Sequence, residues 1–479
     1  QFVGSVVMGA VHDFGSLIIS MRNQGKSISD YTAKYINSRT KLIFFAIVFL
    51  ELWIVIAVFG LVIAIIFNMY PSSVLPVWLE IPLAVLLGYM VYKKNKNVTL
   101  WSIYAIIAMY VTVVAGYFLE LHMPALFGIP PTGMWTIVLL IYAYIASVLP
   151  VTTLLQPRDY INSHELVIAM SLLVMGIVGA AFFTEFSMVA PVVQMTPAQA
   201  PSMWPFLFIT IACGAISGFH ALVSSGTSSK QVSSEDDSLF VGYGSMLMEG
   251  MLATLVIIAV AAGIGLGYKG NTGFAAWNSH YSSWAAADGL GSKVSAFVIG
   301  SANMIEVLGI PHGVAVTIMG VFVASFAGTT LDTATRIQRY VVTELFTGMK
   351  IGIFNNRHVA TLFAVVTAAV LAFATGADGK GALKLWPLFG AVNQTLAALA
   401  LFIIALYLKR RGGAGWLVAG IPGVFMAVMT TWALVMNQFE YSASNNILLQ
   451  LVNAIVLIIV CWVIIESLVQ FFKTGGEGS

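Results

Sequence analysis

The chain has 479 residues; 59% are hydrophobic, 9% are charged, and the formal net charge is +2. Soluble globular domains carry roughly 25% charged residues, and a compact body of this size has too much surface to hide this many apolar side chains from water. The solvent for most of them is therefore lipid or other helices. The near-balanced charge gives no field for nucleic acid, and two cysteines, Cys213 and Cys461, are too few for a disulfide framework or a structural metal site.

Taken in chain order, apolar runs near the ~20 residues that cross the hydrocarbon of a bilayer lie at 1–20, 42–67, 75–92, 98–119, 134–155, 165–186, 204–224, 242–268, 311–328, 357–376, 385–408, 415–436 and 447–470. In lipid each segment must satisfy its own backbone polar groups, so these runs are helices. The expected fold class is an all-α polytopic integral membrane protein with about 13 transmembrane helices in a single transmembrane domain over 1–479. Position 1 is Gln, and 1–20 already reads as the inside of an apolar helix, so a natural start further upstream is expected.

Basic loops alternate along the chain. Residues 21–41 hold Arg22, Lys26, Lys34, Arg39 and Lys41, 68–74 hold no Lys or Arg, Lys93, Lys94 and Lys96 follow, and 120–133 again hold none. Of the 22 Lys and Arg, all but Lys269, Lys293, Lys380 and Lys384 fall on one side. The positive-inside rule then places the start of the first span outside and the C-terminus in the cytoplasm. Parity requires that 294–309, which carries Asn303 and Glu306, be an outer-surface or re-entrant helix. The loop before it, with Trp277, His280, Tyr281, Trp284 and Asp288, suits a membrane interface.

An ionisable group at the centre of a bilayer costs about 2.5–3.5 kcal/mol on insertion scales, so each one needs a reason. His12 and Asp13, Glu51 and His220 lie inside spans and read either as interhelical hydrogen bonds or as a proton relay lining a cavity. Glu185, Glu249 and Glu466 lie nearer helix ends and read as interhelical hydrogen bonds or interfacial positions.

Three polar stretches read as interruptions. They are Ser217–Lys230, with Ser224, Ser225 and Thr227; Gly328–Arg336, with Thr330 and Asp332; and Leu385–Thr395, where Pro387 and Gly390 precede Asn393 and Gln394. Each is alternatively a cap or a kink. Broken helices lined by polar groups are how many transporters hold substrate near the midplane. Arg336 reads as a topology anchor or a substrate contact. HExxH, Walker A and GxSxG signatures are absent. His220 and Ser224 share a helix face at i, i+4, which alone is weak support for a hydrolase.

These motifs resemble the carbon starvation protein A family of membrane transporters. The likeness runs through Gly9-Ala10-Val11-His12-Asp13-Phe14 and Gly25-Lys26-Ser27-Ile28. It continues through Pro205–Gly214 into Ser217-Gly218-Phe219-His220-Ala221-Leu222 and Ser224-Ser225-Gly226-Thr227, then Val241–Glu249, Thr330-Leu331-Asp332 with Thr335-Arg336, and Leu385–Gly390 with Asn393-Gln394. Position 12 is His where the family commonly has Gln, and Val321–Phe326 lack the acidic residue expected there. A GHHFASIAGAGP-like motif that the family carries nearer its N-terminus has no counterpart here.

The resemblance implies a CstA-like core over 1–376 followed by C-terminal transmembrane helices over 377–479. It also implies an architecture of the amino acid–polyamine–organocation type, with inverted repeats and discontinuous helices. The implied function is secondary active import of a small carboxylate-bearing nutrient, short peptides or pyruvate, under carbon starvation. The partners are then that substrate, H+ and the lipid bilayer of a prokaryotic inner membrane, with no cofactor and no nucleic acid. The competing classes are a membrane-embedded hydrolase and a sensor or channel. Asp13, His220, Ser224, Ser225, Thr227, Thr330, Asp332, Asn393 and Gln394 are the substrate-binding or coupling candidates, with His12, Glu51 and Arg336 behind them.

Overall fold

A computed structural model describes residues 1–195, 200–287 and 289–473. Asp288, which the sequence places in the outer interfacial loop, lies outside the described residues. The described chain is helical, with β-pairing limited to two isolated bridges.

The helices are α1 (Phe2–Arg22), α2 (Ile28–Tyr35), α3 (Ser38–Met69), α4 (Pro71–Lys93), α5 (Val98–Phe118), α6 (Pro131–Val148), α7 (Leu155–Phe183), α8 (Met203–Ala212) and α9 (Gly218–Gly226). There follow α10 (Leu239–Leu266), α11 (Gly273–Tyr281), α12 (Leu290–Glu306), α13 (His312–Gly348), α14 (Arg357–Phe373), α15 (Trp386–Lys409), α16 (Leu417–Ala443) and α17 (Ile447–Lys473). Among the described residues, eleven helices are long and apolar enough to cross a membrane; α8 and α14 are shorter apolar helices.

Their ends follow local chemistry. Asn37, Asn97 and Asn356 accept from the Thr40, Leu100 and His358 amides at 2.8, 3.0 and 2.8 Å, satisfying donors that a helix start leaves free. Pro131 and Pro387 occupy first turns, where the missing N–H costs nothing. At the far end of α6, Arg336 donates to the Ala146 and Leu149 carbonyls (3.2 and 2.5 Å) and Arg339 to Ser147 O (2.9 Å). Arg336 is thus buried as a C-terminal cap, where a cation also complements the helix dipole. It lines neither of the cavities described below.

The centre of the bundle is α15, buried over 89% of its apolar window, with α3 packed along α13; α5 and α17, at 22% and 28%, form the lipid-facing periphery.

Three expectations from the sequence change. The run 204–224 is not one span: α8 and α9 are separated by Cys213–Ser217. The break therefore precedes the Gly218–Gly226 stretch, which is itself helical. Gly328–Arg336 is no interruption, because α13 continues through it for 37 residues. Its Thr hydroxyls bond back to carbonyls one turn earlier, Thr330 to Phe326 and Thr335 to Leu331, without opening the helix. Leu385–Thr395 is the unbroken start of α15, since proline at a first turn begins a helix rather than ending one.

Helix α12 begins with Gly291 against Ile65 and Met69 at the end of α3, and the chain just beyond it, Val307 and Leu308, lies by Gly179 near the end of α7. Gly313, at the start of α13, packs on Tyr117 at the end of α5. Both ends of α12 thus lie at one face of the bundle.

Candidate functional site

The break between α8 and α9 is held open by α15. Asn393 Oδ1 accepts from the Phe219 amide (2.9 Å) and the Ser217 hydroxyl (3.1 Å), and Gln394 Nε2 donates to Ile216 O (3.0 Å). These bonds replace ones that an unbroken helix would have made internally. Gly218 permits the approach: a Cβ there would lie 2.2 Å from Asn393 O. Asn393 is seven residues into α15, about 10 Å along the axis, so the break lies away from that helix's end.

Beside the break, four ionisable groups form a chain. His12 Nδ1 lies 2.7 Å from Asp13 Oδ1, Asp13 Oδ2 lies 3.0 Å from His220 Nδ1, and His220 Nε2 lies 3.3 Å from Glu249 Oε2. Side-chain exposure falls steadily along it, from 36% at Glu249 to 23% at His220, 8% at Asp13 and 0% at His12. The order runs from water into the protein. Glu51 of α3 is fully buried, with neither carboxyl oxygen partnered, and lies within electrostatic reach of His220.

With Asp13 accepting from Nδ1, the His220–Glu249 contact has two forms, imidazolium with carboxylate or imidazole with carboxylic acid. They differ only in which atom holds the proton. Neither nitrogen of His220 bonds Ser224, whose hydroxyl faces Ala221 O at 3.4 Å, so the serine–histidine pairing that a hydrolase needs is not formed.

This chain borders a cavity of about 1090 Å³. Asp13, Ser217, His220, Ser224, Glu249, Thr330 and Asn393 line it, with Phe206, Phe219, Phe326, Trp386 and Phe389 supplying apolar walls. Glu249, which the sequence places near a helix end, is a wall residue. It lies ten residues into the 28-residue α10, about 15 Å from that end. A second cavity of about 780 Å³ is lined by Gln156, Asp159, Tyr160, Ser163, Thr227 and Gln231, and shares Val223, Ser228, Val241, Thr329 and Thr333 with the first.

The other candidates fall elsewhere. Ser225 is buried, donating to Ala221 O (2.5 Å) and accepting from the Ile28 amide (2.9 Å), so it ties α9 to α2. Thr227 lines the second cavity. Gln394 is fully buried at the break. Glu185 is exposed beyond α7, and Glu466 accepts from Asn37 (2.9 Å).

Asp332 belongs to a second buried network that sequence reasoning missed. Arg158 donates from Nη1 to Asp332 Oδ2 (2.5 Å) and to Tyr142 OH (2.7 Å), and from Nε to Glu80 Oε1 (3.1 Å). Tyr142 donates to Asp332 Oδ2 (2.7 Å), and Ser325 Oγ lies 2.8 Å from Glu80 Oε2. The signal available was Glu80 inside an apolar run, together with Arg158, Asn162 and Glu165 spaced to share one face of α7.

Membrane-spanning helices around a broken helix and a polar, ionisable cavity place the chain among polytopic membrane transporters. It belongs to the carbon starvation protein CstA family, whose sequence model matches residues 2–287 and 274–433. Relatives include a protein named Peptide transporter CstA from Helicobacter pylori strain J99, 31% identical over 93% of this chain and 71% of its own length. Another, named Pyruvate/proton symporter BtsT, from Escherichia coli K12, is 30% identical over 91% of this chain and 69% of its own. Peptide transporter CstA of the same strain is 28% identical over 90% and 68%. A solved manganese transporter from Eremococcus coleocola aligns with 99% of this chain and 94% of its own at 10% identity, with a TM-score of 0.39, too distant to define the fold.

Proposed function

We propose that the chain is a secondary active transporter of the cytoplasmic membrane that imports a small carboxylate-bearing nutrient, a short peptide or pyruvate, together with protons. The observation that carries this reading is the chain from Glu249 through His220 and Asp13 to His12, whose exposure falls stepwise from the cavity inward. A proton taken up at Glu249 reaches His220 by a shift along one contact. It leaves an imidazolium beside the break, where the Ser224 hydroxyl, only loosely held to Ala221 O at 3.4 Å, can turn toward a ligand. An imidazolium with a hydroxyl donor suits a carboxylate, and the aromatic walls suit the apolar part of a peptide. Proton and substrate then stabilise one another in the cavity, which is the thermodynamic content of coupling.

The test is uptake of labelled pyruvate and of a labelled dipeptide into proteoliposomes, with and without an inward proton gradient. Gradient-driven accumulation of one of them is expected. His220→Gln should lower it at least about tenfold, equivalent to about 1.4 kcal/mol of lost coupling. Uptake indifferent to the gradient would end the proton reading; no accumulation of either compound would end the substrate reading.

A further inference from the structure

The network around Arg158 joins α4, α6, α7 and α13 through Glu80, Tyr142, Arg158, Ser325 and Asp332, each no more than 8% exposed. None of them lines the main cavity. Among the described residues Arg158 is the cation bonded to both Glu80 and Asp332, so with every group ionised the trio carries one negative charge too many. The titratable neighbours do not correct this. Glu165 and Asp159 of α7 add carboxyls, Tyr142 of α6 and Tyr110 of α5 add phenols, and Arg336 of α13, bonded to the Ala146 and Leu149 carbonyls, lies within electrostatic reach of Asp332 and Asp159, so that two guanidinium groups face four carboxyls.

Hydrogen-bond supply tells the same story. Asp332 Oδ1, Glu165 Oε2 and Asn162 Oδ1 are buried acceptors without a donor, on residues 1%, 3% and 2% exposed. Asn162 binds Thr329 through its other amide atom (2.6 Å), one turn from both Ser325 and Asp332. The site is short of hydrogens, and an uncompensated buried charge is strongly unfavourable.

We infer that the Glu80–Arg158–Asp332 network is a second proton-binding site, separate from the His12–Asp13–His220–Glu249 chain. Asp332 accepts from both Arg158 and Tyr142 through one oxygen and stays ionised. Glu80, held by the longer 3.1 Å bond, carries the proton; the Ser325 hydroxyl, which donates to Glu80 Oε2 at 2.8 Å when that carboxyl is ionised, turns to accept from it when it is protonated. Asp159, in the wall of the second cavity, is the group through which the site exchanges protons with water. The close packing is part of the site: a Cβ at Gly328 would lie 2.4 Å from Arg158 Nη2. Thr329 and Thr333, either side of Asp332 on α13, line both cavities, so the site lies behind the wall they share.

The test uses the purified full chain in detergent, with thermal unfolding followed from neutral to alkaline pH and infrared difference spectra recorded across a pH step. A folded state that holds a proton the unfolded chain releases loses stability as pH rises. The expected results are an alkaline fall in wild-type Tm that Glu80→Gln removes while keeping the neutral-pH Tm, and a marked loss of Tm in Arg158→Gln. A protonated-carboxyl band should disappear in Glu80→Gln and persist in His220→Gln. Should Arg158→Gln fail to fold, the infrared comparison decides alone. The inference is overturned if the band survives Glu80→Gln. It is equally overturned if Na+ at constant ionic strength raises the wild-type Tm but not that of Glu80→Gln, which would make the site one for sodium.

Discussion

At the scale of residues, the site depends on side chains that stand in for missing backbone bonds. Asn393→Ala removes the acceptor of the Phe219 amide and the Ser217 hydroxyl, and each buried donor left unpaired costs about 1–3 kcal/mol. Asn393→Ala is expected to lower both Tm and uptake, while Asn393→Asp, which keeps the acceptor, retains more of each; thermal unfolding beside uptake separates the two effects. Not every ion pair has such weight. Arg22 Nε donates to Glu235 Oε1 at 2.8 Å in the exposed loop after α9, and this bond holds the Glu235 carboxyl below its ordinary 4.5. A carboxyl depressed in the fold stabilises above its unfolded value and loses that contribution as pH falls through its lowered one. The pair therefore contributes at neutral and alkaline pH alike and gives way in acid. Being exposed, it is also weak, so Glu235→Gln should leave Tm at neutral pH nearly unchanged.

At the scale of elements, the expected interruptions resolve by one physical test, which is whether the released backbone groups find partners. Around Cys213–Ser217 they do, through Asn393 and Gln394. In α13 the polar groups that face Gly328–Arg336, Asn162, Arg158 and Tyr142, bond its side chains at Thr329 and Asp332, and the helix stays whole. The same reasoning gives α12 a testable placement. With the native cysteines replaced, single cysteines at Gly289 and at Leu308 should both react with a membrane-impermeant thiol reagent from the same side, and one at Asn95 from the other. Labelling of positions 289 and 308 from opposite sides would make α12 a crossing helix.

At the scale of the whole molecule, two cavities meet at a wall built partly by Thr329 and Thr333. A continuous path needs that wall to stay thin. Thr329→Phe is expected to abolish uptake because the added ring fills the shared wall, with a fall in Tm no larger than the loss of the Asn162–Thr329 bond (2.6 Å) implies, about 1–3 kcal/mol. Activity retained in this variant would show that the second cavity lies off the transport path.

What composition determined alone was the solvent. Apolar runs of bilayer length and alternating basic loops follow from the cost of placing backbone and charge in hydrocarbon, a cost paid residue by residue and so legible in one dimension. The unusual polar residues inside those runs were legible too: Asp13, His220, Thr330 and Asn393 all reach the main cavity. Their roles were not. Ser225 and Gln394 belong to the same motifs yet hold helices in place, and Glu249 moved from a helix end to the cavity wall. The Arg158 network escaped because its members are 78 and 174 positions apart, and each alone looks like an interfacial charge or a helix end. Only the packing of α4, α6, α7 and α13 brings these residues within hydrogen-bond reach. The reason is that pairing inside a membrane is set by which helix faces meet, and that is a property of the assembled bundle.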